Sequence, residues 1–134
     1  MLPLSLVLAA CSGSEEAGTG SDELRTITVS MTDELRFEPD AFTVAARETV
    51  RFVVTNEGQS THEFLIGDEA AQADFEEAMQ DEMHHETDAG VSLAPGESGT
   101  FDYTFDQAGA DLLAGCHEPG HYDGGMVATI TVNE

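Results

Sequence analysis

Residues 115–132 read GCHEPGHYDGGMVATITV, and this stretch combines potential metal ligands with a C-terminal strand. Cys116, His121 and Met126 follow one another at intervals of five residues. A thiolate, an imidazole and a thioether on one loop suit a soft ion such as Cu(I), and the thiolate and imidazole also bind Cu(II). Residues 127–132 alternate in polarity, with Ala128, Ile130 and Val132 on one face, which is typical of a half-buried strand.

A second imidazole is available upstream, at the start of another predicted strand. His62 follows the turn-forming segment Asn56-Glu57-Gly58 and precedes the apolar residues 64–66. Adjacent strands of a sandwich bring together residues that are distant in sequence, so His62 can lie beside Cys116. Two His and one Cys in a plane, with a weak axial Met, form the trigonal blue-copper site.

The remainder of the folded part is predicted to consist of short strands and one helix. The segment Phe37-Glu38-Pro39-Asp40 is interpreted as a turn. Residues 68–86 are rich in Ala, Glu, Gln and Met and predict one helical insertion. Seven to eight strands predict an all-β, antiparallel sandwich or barrel. The strands are expected near residues 26–31, 41–44, 49–55, 62–66, 91–93, 99–105, 111–116 and 127–132.

The ligand pattern resembles that of the cupredoxins, the plastocyanin/azurin family. The spacing Cys116-x4-His121, with the turn Pro119-Gly120-His121, is similar to azurin-like and auracyanin-like proteins, and His121-x4-Met126 is similar to plastocyanin-like ones. The segment 53–64 resembles the region of the first ligand in exported members. The resemblance extends from about Thr26 to Val132 and implies a Greek-key sandwich. It also implies one type 1 copper ion, Cu(I) or Cu(II), with the ligands His62, Cys116, His121 and Met126.

The resemblance implies a protein that shuttles single electrons and is not an enzyme. In the family, the C-terminal His ligand lies near the surface under an apolar docking patch, and His121 has this position here. Glu118 and Asp123 flank it, so we expect a redox partner with a basic docking face, either a cytochrome or a copper enzyme. The neighbours expected in the docking patch are Pro119, Gly120, Tyr122 and Gly58.

Two residues adjacent to the predicted ligands, Glu63 and His117, need separate interpretation. Many family members have Asn directly after the first His, where it ties the two ligand loops together, whereas this chain has Glu63. His117 is adjacent to Cys116 but at the wrong spacing for a ligand. We interpret it as a loop residue, and the alternative is a hydrogen-bonding role behind the ligands.

Other functions are compatible with some of these residues. A copper-handling protein for binding, delivery or resistance could hold a second Cu(I) with Met79, Met83, His84 and His85, although we favour the interpretation that these methionines pack the helix on the sandwich. A thiol enzyme with Cys116 as nucleophile and His121 as base would leave Met126 unexplained. Zinc could fill the same site, but the thioether favours copper. A fold that had lost its metal would not need all four ligand types.

The N-terminal residues predict an exported lipoprotein. Residues 1–10, MLPLSLVLAA, form a short apolar export segment, and Leu8-Ala9-Ala10-Cys11 resembles a prokaryotic lipoprotein box. Lipidation of Cys11 would make the lipid the only membrane contact, and it would leave Cys116 without a disulfide partner. Residues 11–23 predict a flexible tether and residues 24–134 the cupredoxin domain. We therefore expect the protein in the periplasm or at the cell surface.

The charge of the chain argues against one class of partner. It has 27 acidic residues and four basic ones, with a formal net charge of −23. Such a surface repels phosphates, so nucleic-acid binding is not expected.

The sequence contains no apolar run of about 18 residues, the length that a membrane-spanning helix requires. We expect a monomer.

Overall fold

The computed structural model describes residues 24–80, 88–109 and 111–134, which form two β-sheets and one helix. Each predicted strand is present, with ends within one residue of those expected. The elements are β1 (Arg25–Thr32), β2 (Arg36–Glu38), β3 (Ala41–Ala45), β4 (Thr49–Asn56), β5 (His62–Gly67), α1 (Glu69–Gln80), β6 (Gly90–Leu93), β7 (Ser98–Thr104), β8 (Asp111–Gly115) and β9 (Val127–Asn133).

The segment interpreted as a turn contains a short strand. β2 pairs antiparallel with β1, and Phe37 lies opposite Met31. The connecting turn is closed by the Leu35 N–H, which donates a 3.1 Å hydrogen bond to the Thr32 carbonyl. The described residues therefore form nine strands, one more than the upper prediction, because a three-residue strand is too short to show an alternating pattern.

Most strand pairs are antiparallel, as predicted, but each sheet also contains one parallel pair that the prediction did not include. The first sheet has the order β2-β1-β4-β7, with β1 and β4 parallel. The second has the order β3-β9-β8-β5-β6, with β3 and β9 parallel. Parallel neighbours need a long connection, and the excursion through β2 and β3 supplies it between β1 and β4. The all-β class with one helix is confirmed.

Aromatic side chains from both sheets form the centre of the core. The Phe52 ring is fully buried, and its centroid lies 5.4 Å from that of Phe64 and 5.3 Å from that of Phe101. Burial of such a side chain stabilises the fold by about 1.5–3 kcal/mol. The same cluster includes Cys116 and Met126, both fully buried. The metal-ligand candidates are therefore continuous with the core that supports them.

Helix α1 packs against β5 and β8. It begins after Asp68, whose carboxylate accepts a 2.8 Å hydrogen bond from the Ala71 N–H and caps the helix. The helix is described as far as Gln80, and the predicted insertion continued to residue 86. Residues 81–87 lie outside the described residues, and so do Met83, His84 and His85 of the predicted second copper site.

No helix in the described parts of the chain is long and apolar enough to cross a membrane. The predicted export segment, Cys11 and the tether occupy residues 1–23, which lie outside the described residues.

Candidate metal centre

The candidate centre lies at one end of the sandwich, where β5 begins, β8 ends and β9 begins. Strands β5 and β8 are antiparallel, and Leu65 lies opposite Gly115. Residues that precede Leu65 therefore meet residues that follow Gly115. This pairing brings His62, the first residue of β5, to Cys116, which directly follows β8. The sheet register thus explains how ligands far apart in sequence share one site.

Three of the predicted ligand residues converge in the structure. The donor atoms of His62, Cys116 and His121 all lie within 4.8 Å of one another. The Cys116 Sγ atom is 4.0 Å from His62 Nδ1 and 3.4 Å from His121 Nδ1. His62 and Cys116 are fully buried, whereas His121 is half-buried. The cluster therefore approaches the surface on the His121 side.

Met126 closes the loop that begins at Cys116. Its carbonyl accepts a 3.2 Å hydrogen bond from the Cys116 N–H, and its own N–H donates a 3.1 Å bond to the His121 carbonyl. The Met126 side chain is fully buried. The loop is thus fastened at both ends beside the cluster, and the role of Met126 as a weak axial ligand stays a prediction.

A tight turn sets the position of His121. The His121 N–H donates a 2.9 Å hydrogen bond to the Glu118 carbonyl, and Gly120 has a φ of 81°. Pro at the second position, with Gly in the left-handed region at the third, is the pattern of a type II turn. The sequence Pro119-Gly120 therefore fixes the backbone immediately before the His121 ring.

The Cys116 sulfur is held in an environment that suits a bound cation. The Glu63 N–H donates a 3.3 Å hydrogen bond to Sγ. Burial raises the pKa of the Cys116 thiol to about 12, although backbone hydrogen bonds from Glu63 and Glu118 act in the opposite direction. A cation replaces the proton of such a thiol when it binds. Burial also lowers the pKa of His121, with His62 as a further cause, so this imidazole is neutral and free to bind a metal.

Glu63 connects the two ligand-bearing loops. In addition to its N–H bond to the sulfur, its Oε1 accepts a 3.1 Å hydrogen bond from the His117 N–H. In many family members, an Asn at this position ties the two ligand loops together. Here the longer side chain of Glu63 makes the connection between them. The buried Asn56 supports the first loop from inside, because its amide donates to the carbonyls of Ser60 and Leu93, at 2.7 and 2.9 Å.

His117 lies in the loop, as predicted, but it anchors the loop to α1. Its ring is 1% exposed, with Nδ1 2.6 Å from Glu76 Oε2 and Nε2 2.7 Å from Gln72 Oε1. The ring also stacks on Tyr122, with centroids 4.6 Å apart. The ring thus has a hydrogen-bonding role, but its partners are side chains of α1 and not the predicted ligands. One feature of the sequence could have indicated this contact with α1. Gln72 and Glu76 are spaced i, i+4, which places both on one face of the helix.

Asp33 was not singled out by any sequence pattern. Its Oδ1 lies 3.0 Å from His62 Nε2, on the side of the ring away from Cys116. A backbone hydrogen bond from Gln59 lowers the pKa of the Asp33 carboxyl, and the hydrogen bond with His62 lowers it further. The contact depends on the β1–β2 turn, which the sequence did not place near the site.

Comparison with known proteins assigns the family. The model of the copper-binding proteins of the plastocyanin/azurin family matches residues 25–133. The chain belongs to this family. The buried thiolate and imidazole donors of this cupredoxin fit copper, which is its cofactor.

Two relatives agree with that assignment, and a solved structure of another protein is similar in fold. The copper-resistant cuproprotein CopI of Rubrivivax gelatinosus is 41% identical over 86% of this chain and 70% of its own length. CopI of Pseudomonas aeruginosa is 33% identical over 81% of this chain and 76% of its own length. Dithionite-reduced auracyanin from Roseiflexus castenholzii has a TM-score of 0.70 at 24% identity, covering 81% of this chain and 97% of its own. The last match supports the fold.

Copper binding is expected to release a proton from Cys116. The thiol, with its pKa raised to about 12, is protonated at pH 7 in the metal-free protein, and copper binds the thiolate. One equivalent of Cu(II), added to weakly buffered protein with a pH indicator, should release about one proton per ion. By the same linkage, apparent affinity should weaken as the pH falls. Equal proton release by the C116S variant would contradict this expectation.

Proposed function

We propose that the protein binds copper outside the cytoplasm and contributes to copper resistance. The observation that supports this most is the cluster of His62, Cys116 and His121, with donor atoms within 4.8 Å, in a chain 41% identical to a copper-resistant cuproprotein. In this proposal the three residues bind the ion, and Met126 is the weak axial ligand. Two imidazoles, one thiolate and one thioether are the donor set of a type 1 copper site.

The chain holds these donors in place through its own contacts. Cys116 is fixed by the bond from the Glu63 N–H, His121 by the turn before it, and His62 by its contact with Asp33. When bound, copper supplies a one-electron Cu(I)/Cu(II) couple. Because the donor set suits both oxidation states, the residues need not rearrange when the charge of the ion changes.

The location is part of the proposal. The export segment and the lipoprotein box at Cys11 support a position in the periplasm or at the cell surface, with the lipid as the membrane anchor. There the protein would meet copper before it reaches the cytoplasm. The proposal includes no catalytic residue, because binding and redox cycling of the ion require no general acid, base or nucleophile.

Copper tolerance tests the proposed role. A host that lacks the gene should stop growing at a lower copper concentration, and the wild-type gene should restore growth. C116S should fail to restore it, whereas T131A should succeed, because Thr131 is an exposed residue of β9 remote from the ligands. Protein levels of both variants are checked by immunoblot. Full tolerance with C116S at wild-type abundance would contradict the proposal.

Electron shuttling is a second candidate, favoured by the half-exposed His121 at the end of the sandwich. A ligand that approaches the surface would give a bound copper ion its most direct path for electron exchange. Glu118 is half-buried and Asp123 exposed on the same loop, so the surrounding surface is acidic. We propose that a partner for this function, a cytochrome or a copper enzyme, has a basic docking face and binds the protein as a monomer.

The ionic strength dependence of electron exchange tests this second candidate. The second-order rate constant with a basic cytochrome should fall about tenfold or more between low and physiological salt, measured by stopped flow. D123N should reduce the low-salt rate. D111N is the matched control, because Asp111 is exposed at the opposite end of β8 from Cys116. A rate that is independent of salt, or an equal effect of both variants, would contradict the docking proposal.

A further inference from the structure

The turn between β1 and β2 contacts the loop that precedes His62. The Asp33 carboxylate accepts hydrogen bonds from two successive backbone N–H groups of that loop, from Gln59 at 2.7 Å and from Ser60 at 3.3 Å. The Glu57 N–H also donates a 2.9 Å bond to the Met31 carbonyl. These bonds fix the position of the carboxylate relative to the start of β5.

The same carboxylate reaches the His62 ring. Asp33 Oδ1 lies 3.0 Å from His62 Nε2; the His62 side chain is 0% exposed and that of Asp33 is 43% exposed. An ionised carboxylate only accepts hydrogen bonds, so Nε2 is the nitrogen that holds the ring proton. In the neutral ring, Nδ1, which is 4.0 Å from the Cys116 sulfur, then carries the lone pair and faces the site.

Gly58 lies directly against this contact. A Cβ atom added to Gly58 would lie 2.1 Å from Asp33 Oδ1 and 3.0 Å from His62 Nε2. Real Cβ atoms do not approach an oxygen so closely, so any side chain at position 58 would displace the carboxylate. The absence of a side chain at Gly58 therefore permits the bond between Asp33 and His62.

We propose that Asp33 is a positioning residue that selects Nδ1 of His62 as the copper ligand and favours Cu(II) over Cu(I). Hydrogen bonding of a ligand imidazole to a carboxylate fixes its tautomer and increases its strength as a donor. The negative charge also stabilises a doubly charged ion more than a singly charged one. Asp33 therefore lowers the reduction potential of the centre. The inference rests on the ligand assignment proposed above.

The reduction potential of D33N is the first test. Asn keeps the size of Asp but removes the charge and one strong acceptor. D33N should still bind one copper ion, while the ratio of Cu(II) to Cu(I) affinity falls about tenfold. This corresponds to a potential about 59 mV higher for a one-electron couple. E34Q is the matched control, because Glu34 is the next residue of the same turn and is exposed. A D33N potential equal to that of wild type, or a rise of the same size in E34Q, would overturn the proposal.

A second measurement on the metal-free protein does not depend on copper. Long-range ¹H–¹⁵N correlation spectra should show His62 with its proton on Nε2 in wild type, and a mixture of tautomers in D33A. A wild-type ring with its proton on Nδ1 would overturn the selection of the ligand atom. If wild type bound no copper but retained the Nε2–H tautomer that is lost in D33A, the ligand assignment would fail while the positioning by Asp33 would stand.

Discussion

The hydrogen bonds of Glu63 to the segment after β8 hold the metal centre together. Its N–H donates to the Cys116 sulfur, and its carboxylate accepts from the next backbone N–H, that of His117. Glu63 is itself 6% exposed, so both bonds form away from competing water. They join the beginning of β5 to the end of β8, the two points from which His62 and Cys116 project. Without them, the sheet register would bring the residues close but would not fix the sulfur.

Around this link, three further elements each restrain one part of the site. The β1–β2 turn holds His62 through Asp33, and the type II turn at Pro119-Gly120 holds His121. Helix α1 holds the residue after Cys116, because Gln72 and Glu76 bond both nitrogens of His117. The helix therefore stabilises the ligand loop from its outer side, in addition to packing against the sandwich. Together these contacts define the donor positions before an ion binds.

The sequence allowed the local part of this arrangement to be predicted. The spacing of Cys116, His121 and Met126 lies within one loop, and the strand ends were predicted because alternation on β4 and β9 is regular. The parallel pairs and β2 were missed, since a parallel partner leaves no local pattern and three residues show no period. Asp33 and the buried state of His117 depend on packing between segments 29 and 41 residues apart. No local signal specifies such contacts.

Both candidate functions require the same copper ligands, so both depend on where the ion binds. The most direct measurement is a crystal structure of the copper-loaded protein with anomalous diffraction at the copper absorption edge. We expect one strong peak between His62 Nδ1, Cys116 Sγ and His121 Nδ1, with the ligand loops in the positions described above. A principal peak elsewhere, or a site formed only after the loop from Cys116 to Met126 rearranged, would contradict it.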